Sequence, residues 1–186
     1  MQVMFRFVEK YITLTEQEKS IIQVANVVES FRRNDLISGN SDAAYFVLKG
    51  CVCAFYSSSD REIVSDFFLE GDPVLIPPPQ ESSGESVVLR CLEDSQLAVS
   101  SAAEGERLVK AFPRFERVCR LFAEERLARS MRLNHQLRIL TPIEKYELVA
   151  KERPELLGRV PQYSLASFLG IAPETLSRIR KRVVTR

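Results

Sequence analysis

The chain has 186 residues, 45% of them hydrophobic and 27% charged, with seven glycines, which fits one well-formed core or two small domains and excludes a disordered or fibrous protein. No stretch approaches the ~20 unbroken apolar residues of a membrane span, residues 1–10 lack the apolar run of a signal peptide, and a single histidine leaves little for a His-rich metal centre or a His-based triad. The net charge of +1 conceals an asymmetry: residues 1–106 carry 8 Lys/Arg against 17 Asp/Glu, and residues 107–186 carry 18 against 8. A basic half of this kind suits either a polyanionic partner or a merely solvated basic surface.

Thr15, with Glu18 three residues on and Leu14 before it, predicts a capped helix whose apolar positions run through Ile21, Ile22, Val24, Ala25 and Val28. From about Asp42 short apolar runs alternate with turn signals. They cover residues 44–50, 51–56, 63–69, 86–92 and 95–99, and predict a compact β sandwich or barrel. Residues 77–84, opening on three prolines, read as a loop. Cys51, Cys53, Cys91 and Cys119 form no C-x-x-C pair, so structural thiols in a reducing, cytoplasmic setting are expected rather than a metal site or a disulfide framework.

After Ser100 the pattern is helical. One helix spans residues 104–112 and a longer one residues 113–137, with Phe115, Val118, Cys119, Phe122, Leu127 and Met131 along one stripe. The stripe suits either a dimer seam, through Phe115, Val118, Phe122 and Met131, or a packing face within the subunit. His135 reads as a surface residue, and no catalytic set is present, so the chain is not expected to be an enzyme. Thr141, Pro142 and Glu144 start another helix that stops before Pro154.

Residues 162–181 carry the chemistry. Ala166 followed four residues later by Gly170 is the spacing of a helix-turn-helix: alanine allows close crossing and glycine the left-handed turn. Leu165, Phe168 and Leu169 bury one helix; Leu176, Ile179 and Val183 bury the next. Glu174, Thr175, Ser177 and Arg178 remain on its other face, as candidate base-reading residues. Arginine can bond guanine in a bidentate manner, and a carboxylate can accept from cytosine. Arg180, Lys181 and Arg182 suit phosphate contacts, which add affinity without sequence choice.

The run Leu169-Gly170-Ile171 followed by residues 173–179 (PETLSRI) resembles the recognition motif of the Crp/Fnr superfamily of transcription regulators, and residues 45–52, 67–72 and 92–97 resemble its cyclic-nucleotide-binding-like β-roll. The resemblance implies an α+β protein: an antiparallel β-roll of jelly-roll type over residues 1–108, a central dimerisation helix over 109–138, and a winged-helix-like helix-turn-helix domain over 139–186. The sequence stops at Arg186, so no wing hairpin is expected after the second helix. It also implies a homodimer on near-palindromic double-stranded DNA, with Gln162 near the phosphate backbone. RNA polymerase and an unidentified small molecule are further candidate partners. The alternative is a ligand-sensing or interaction module whose helix-turn-helix no longer binds DNA.

The chain departs from the family's phosphate cassette. Gly71 and Asp72 match its Gly-Glu pair, but Glu85 followed by Ser86 stands where an arginine is needed, and a carboxylate there repels a cyclic phosphate. A degenerate effector pocket, unresponsive to cyclic AMP and without cofactor or metal, is therefore expected.

Overall fold

The computed structural model describes residues 1–38, 43–57, 62–75 and 86–184. Two helices, α1 (Gln2–Val8) and α2 (Glu16–Val24), precede eight strands: β1 (Val27–Phe31), β2 (Leu36–Ser38), β3 (Ala43–Lys49), β4 (Val52–Ser57), β5 (Glu62–Phe68), β6 (Pro73–Val74), β7 (Ser86–Cys91) and β8 (Ser95–Ser101). Six helices follow: α3 (Ala102–Ala111), α4 (Phe115–Ile139), α5 (Pro142–Glu152), α6 (Leu156–Arg159), α7 (Gln162–Leu169) and α8 (Pro173–Val184). No strand follows β8 among the described residues.

The strands form two antiparallel four-stranded sheets, ordered β1-β8-β3-β6 and β2-β7-β4-β5. This is the expected jelly roll, an α+β protein with two helices before the sheets and six after them. Residues alternate between faces along each strand. Val47, Val52, Ala54, Phe68, Leu89 and Leu97 point between the sheets and form the inner core. Phe46 and Ala98 point out of the first sheet, where α1, α2, α3 and the start of α4 cover them through Met4, Phe5, Val8, Ile22, Leu108 and Val118.

The second sheet is also covered on its outer face. Cys51, Cys53 and Phe55 pack there against Leu156, Leu165, Phe168 and Leu169 of the C-terminal helices. A register shift between Ala54 and Phe55, where β4 meets β5, puts Val64 and Phe67 on this same outer face. The described part of the molecule is thus four layers, helix–sheet–sheet–helix.

The Thr15 cap is present as a full capping box with Glu18, but α2 ends at Val24. Val28, read as part of that helix, lies in β1, which among the described residues is an edge strand paired with β8. Val24, Val27 and Val28 are exposed, so the apolar run reflects a helix end and an edge strand rather than one buried stripe. The Thr141–Glu144 capping box and Pro142 start α5 as read.

Candidate nucleic-acid interface

The C-terminal unit is built by a few local devices. α7 ends at Gly170, whose φ of 63° and ψ of 39° are left-handed. The Ile171 amide reaches the Ala166 carbonyl at 3.0 Å and the Gly170 amide that of Ser167 at 3.1 Å, a pairing that closes the helix. Lys145 Nζ donates to the Leu169 carbonyl at 3.1 Å, satisfying a further helix-end acceptor from α5. Ala166 is fully buried at the crossing.

Pro173 opens α8 with a φ suited to the first turn. Leu176 and Ile179, three apart, are buried against the preceding helices, which turns the rest of α8 outward. Glu174, Arg178, Lys181 and Arg182 are exposed; Thr175, Ser177 and Arg180 are half-buried. Glu174 sits in the first turn and Lys181 and Arg182 in the last, each matched in sign to the helix dipole. Arg178 Nε donates to the Glu174 main-chain carbonyl at 3.3 Å, so the guanidinium folds back along the first turn. Gln162 and Tyr163 are exposed at the start of α7. The four base-reading candidates therefore share one helix surface, with the basic residues following them.

The effector-side residues are placed differently. Gly71 takes a φ of 93° in the turn between β5 and β6. Asp72 Oδ2 accepts from the Leu69 amide at 2.9 Å and stands 3.6 Å from Arg153 Nη2. Ser86 opens β7 opposite Ser57. Glu85 and the prolines of 77–79 lie outside the described residues, as do the side chains of Ser86 and Val183. Arg90 points to the outer face, bound to both Glu62 oxygens at 2.6 and 2.7 Å and stacked over Phe55. Among the described residues no group of His, Cys, Asp and Glu is arranged to hold a metal, and no helix is long and apolar enough to cross a membrane.

On α4 the stripe read from the sequence divides. Val118 is 1% exposed in the subunit's own core, Phe115 packs beside it, and Phe122 meets the Phe7 ring edge-on at 5.1 Å. Leu127 and Met131, at 62% and 65%, are the large apolar side chains this helix leaves to solvent before its last turn.

Sequence reading did not identify a set of charges between the two halves. Arg153, 8% exposed, donates to the Phe67 carbonyl at 3.0 Å and lies 3.4 Å from Asp66. Asp66 also pairs with Arg126 of α4. Arg159 grips both oxygens of Glu70 at 2.8 and 2.9 Å and bonds Glu93. The Arg159 bonds, aided by the Gly50 amide, hold the Glu70 carboxyl down at about 2. A carboxyl lowered on folding contributes stability above its ordinary range of about 4.5, lost as pH falls from there through about 2. Burial lowers the pKa of Arg153, and Asp66 and Asp72 work against that shift.

No protein-family model matches the sequence, and no curated protein does either. Solved structures do. The chain is similar to FixK2 of Bradyrhizobium japonicum, with a TM-score of 0.69 and 20% identity over 86% of this chain and 85% of that one. It is similar to CLP, the c-di-GMP-responsive global regulator of Xanthomonas campestris, at a TM-score of 0.68 and 19% identity over 92% of each chain. A Eubacterium rectale protein described as a transcriptional regulator of the crp/fnr family aligns at a TM-score of 0.67 and 16% identity, over 92% of this chain and 84% of that one. The fold is that of the Crp/Fnr regulators.

Proposed function

We propose that the protein is a sequence-specific, DNA-binding transcription regulator that acts as a homodimer and does not respond to cyclic AMP. The observation that carries this reading is the outward face of α8, where Glu174 and Arg178 lie one turn apart, followed by Lys181 and Arg182, on a helix-turn-helix closed by left-handed Gly170. Arg178 reads guanine and Glu174 accepts from cytosine, with Thr175 and Ser177 beside them. Gln162, Arg180, Lys181 and Arg182 face phosphates, and two copies reach successive major grooves ~34 Å apart. The fold shared with transcription regulators supports a non-enzymatic role. Asp72 already accepts from Leu69 and faces Arg153, which supports a turn not available to a cyclic phosphate.

Arg178→Ala is expected to weaken binding to the specific site by ~1–3 kcal/mol, roughly five- to 150-fold, and to relax choice at one base pair. A mobility-shift titration on specific and random duplexes checks this. An equal loss on both would contradict base reading.

The dimer seam we propose lies on the outward surface of α4. Cys119, Ala123, Leu127, Ser130 and Met131 are all exposed there and share the side of the helix opposite Val118. In a parallel two-fold pair a seam residue meets its own copy, and a disulfide needs Cα atoms within about 4.4–6.8 Å. Mild oxidation is therefore expected to give a cross-linked species of doubled mass, absent from Cys119→Ser. A chain that stays monomeric in sedimentation and never cross-links would contradict this seam.

A further inference from the structure

The outer face of the sheet β2-β7-β4-β5 is where the two charge-asymmetric halves of the chain meet. Its apolar part is Cys51, Cys53, Phe55, Val64 and Phe67, covered by Leu156, Leu165, Phe168 and Leu169. The Phe67 and Phe168 rings stand edge to face at 5.3 Å. Ser167 Oγ accepts from the Val64 amide at 3.0 Å, tying α7 to the backbone of β5.

Polar contacts flank this seam. Arg153 addresses Asp66, Asp72, Glu155 and the Phe67 carbonyl, with Arg129 also nearby; Arg159 addresses Glu70 and Glu93. Glu70 and Asp72 belong to the turn between β5 and β6, so Arg153 and Arg159 hold the same turn. Pairs of this kind add little net stability but penalise every misregistered packing, because separation strands Arg153 without its acceptors. Packing and charge thus select one orientation of the helix-turn-helix.

We propose that Arg153 and Arg159 latch the helix-turn-helix unit onto the outer face of this sheet, and that the latch sets the orientation of α8 without any small molecule. The latch is independent of what α8 binds. Its consequence for DNA rests on the function proposed above: a fixed α8 binds its site without the entropic cost of ordering the unit first.

The chain carries its own reporters. Cys51 and Cys53 lie under the helix-turn-helix, Cys91 lies between the sheets, and Cys119 is exposed. Timed alkylation of the full-length protein, read by mass spectrometry at each cysteine, therefore separates undocking from unfolding. In the native protein Cys51, Cys53 and Cys91 stay protected together. In Arg153→Ala, and in the milder Arg159→Gln, Cys51 and Cys53 are expected to react at least tenfold faster while Cys91 keeps its native rate. Protein unfolded in urea, dialysed and refolded is expected to protect Cys51 and Cys53 as before.

Unchanged rates at Cys51 and Cys53 in both variants would overturn the latch, as would a rise shared equally with Cys91 in both. Loss of their protection in the refolded protein, with Cys91 still protected, would overturn its independence of small molecules. None of these readouts involves DNA, so a chain that binds no duplex leaves the test of the latch intact.

Discussion

Phe67→Ala is expected to destabilise the protein by about 3–5 kcal/mol, the range for removing a fully buried aromatic ring. Phe67 is 0% exposed and sits on the outer face of its sheet, where its ring meets Phe168 of α7. Truncation leaves a void that the sheet backbone on one side and α7 on the other cannot easily close. Because the lost contact joins two parts of the chain, its loss also weakens their coupling. Urea unfolding is expected to shift to lower denaturant and to broaden, as the C-terminal helices detach ahead of the jelly roll. A cost below about 1 kcal/mol with an unchanged transition slope would contradict this packing.

Gly50→Ala is the second large effect, and it acts within the jelly roll. Gly50 turns the chain from β3 into β4 with a φ of 102°. An added Cβ would sit 2.2 Å from Ser95 Oγ and 2.8 Å from the Ser95 Cα. The hydroxyl could rotate away, but the backbone of β8 cannot. Backbone strain of ~1–2 kcal/mol and overpacking of ~1–3 kcal/mol together predict a loss of about 2–5 kcal/mol. Gly105→Ala is the control: that glycine lies in α3 with nothing within 4 Å of the added atom, so it should stabilise slightly. Equal effects at the two glycines in urea titrations would contradict the close approach at Ser95.

The helix-turn-helix was legible because its signals are local. Gly170 after Ala166 fixes a left-handed turn, and Leu165, Phe168, Leu169, Leu176 and Ile179 mark buried faces by spacing alone. The same holds for the caps at Thr15 and Thr141 and for the central strands. Shorter elements carried too little pattern: β2 has three residues, β6 has two, and β1 is an exposed edge. On α4, Phe115, Val118 and Phe122 form an apolar stripe whatever covers it, and the covering α1 lies over a hundred residues away in sequence.

The docking of the C-terminal unit left two traces in the sequence. The run Cys51-Val52-Cys53-Ala54-Phe55 is apolar on both faces, which an antiparallel strand with one side in water would not be. The acidic and basic halves carried a second trace. Part of that asymmetry is used inside the chain, where Arg126, Arg153 and Arg159 meet Asp66, Glu70, Asp72 and Glu93. On α8 the side chains of Arg178, Lys181 and Arg182 are exposed.

Selection of bound fragments from total genomic DNA by the purified full-length protein, at physiological salt, tests the reading of α8 most directly. The account predicts enrichment of one near-palindromic site with half-sites a helical turn apart, lost when Glu174 and Arg178 are both replaced by alanine. Fragments recovered without a shared sequence, or the same site recovered by the doubly substituted protein, would contradict it.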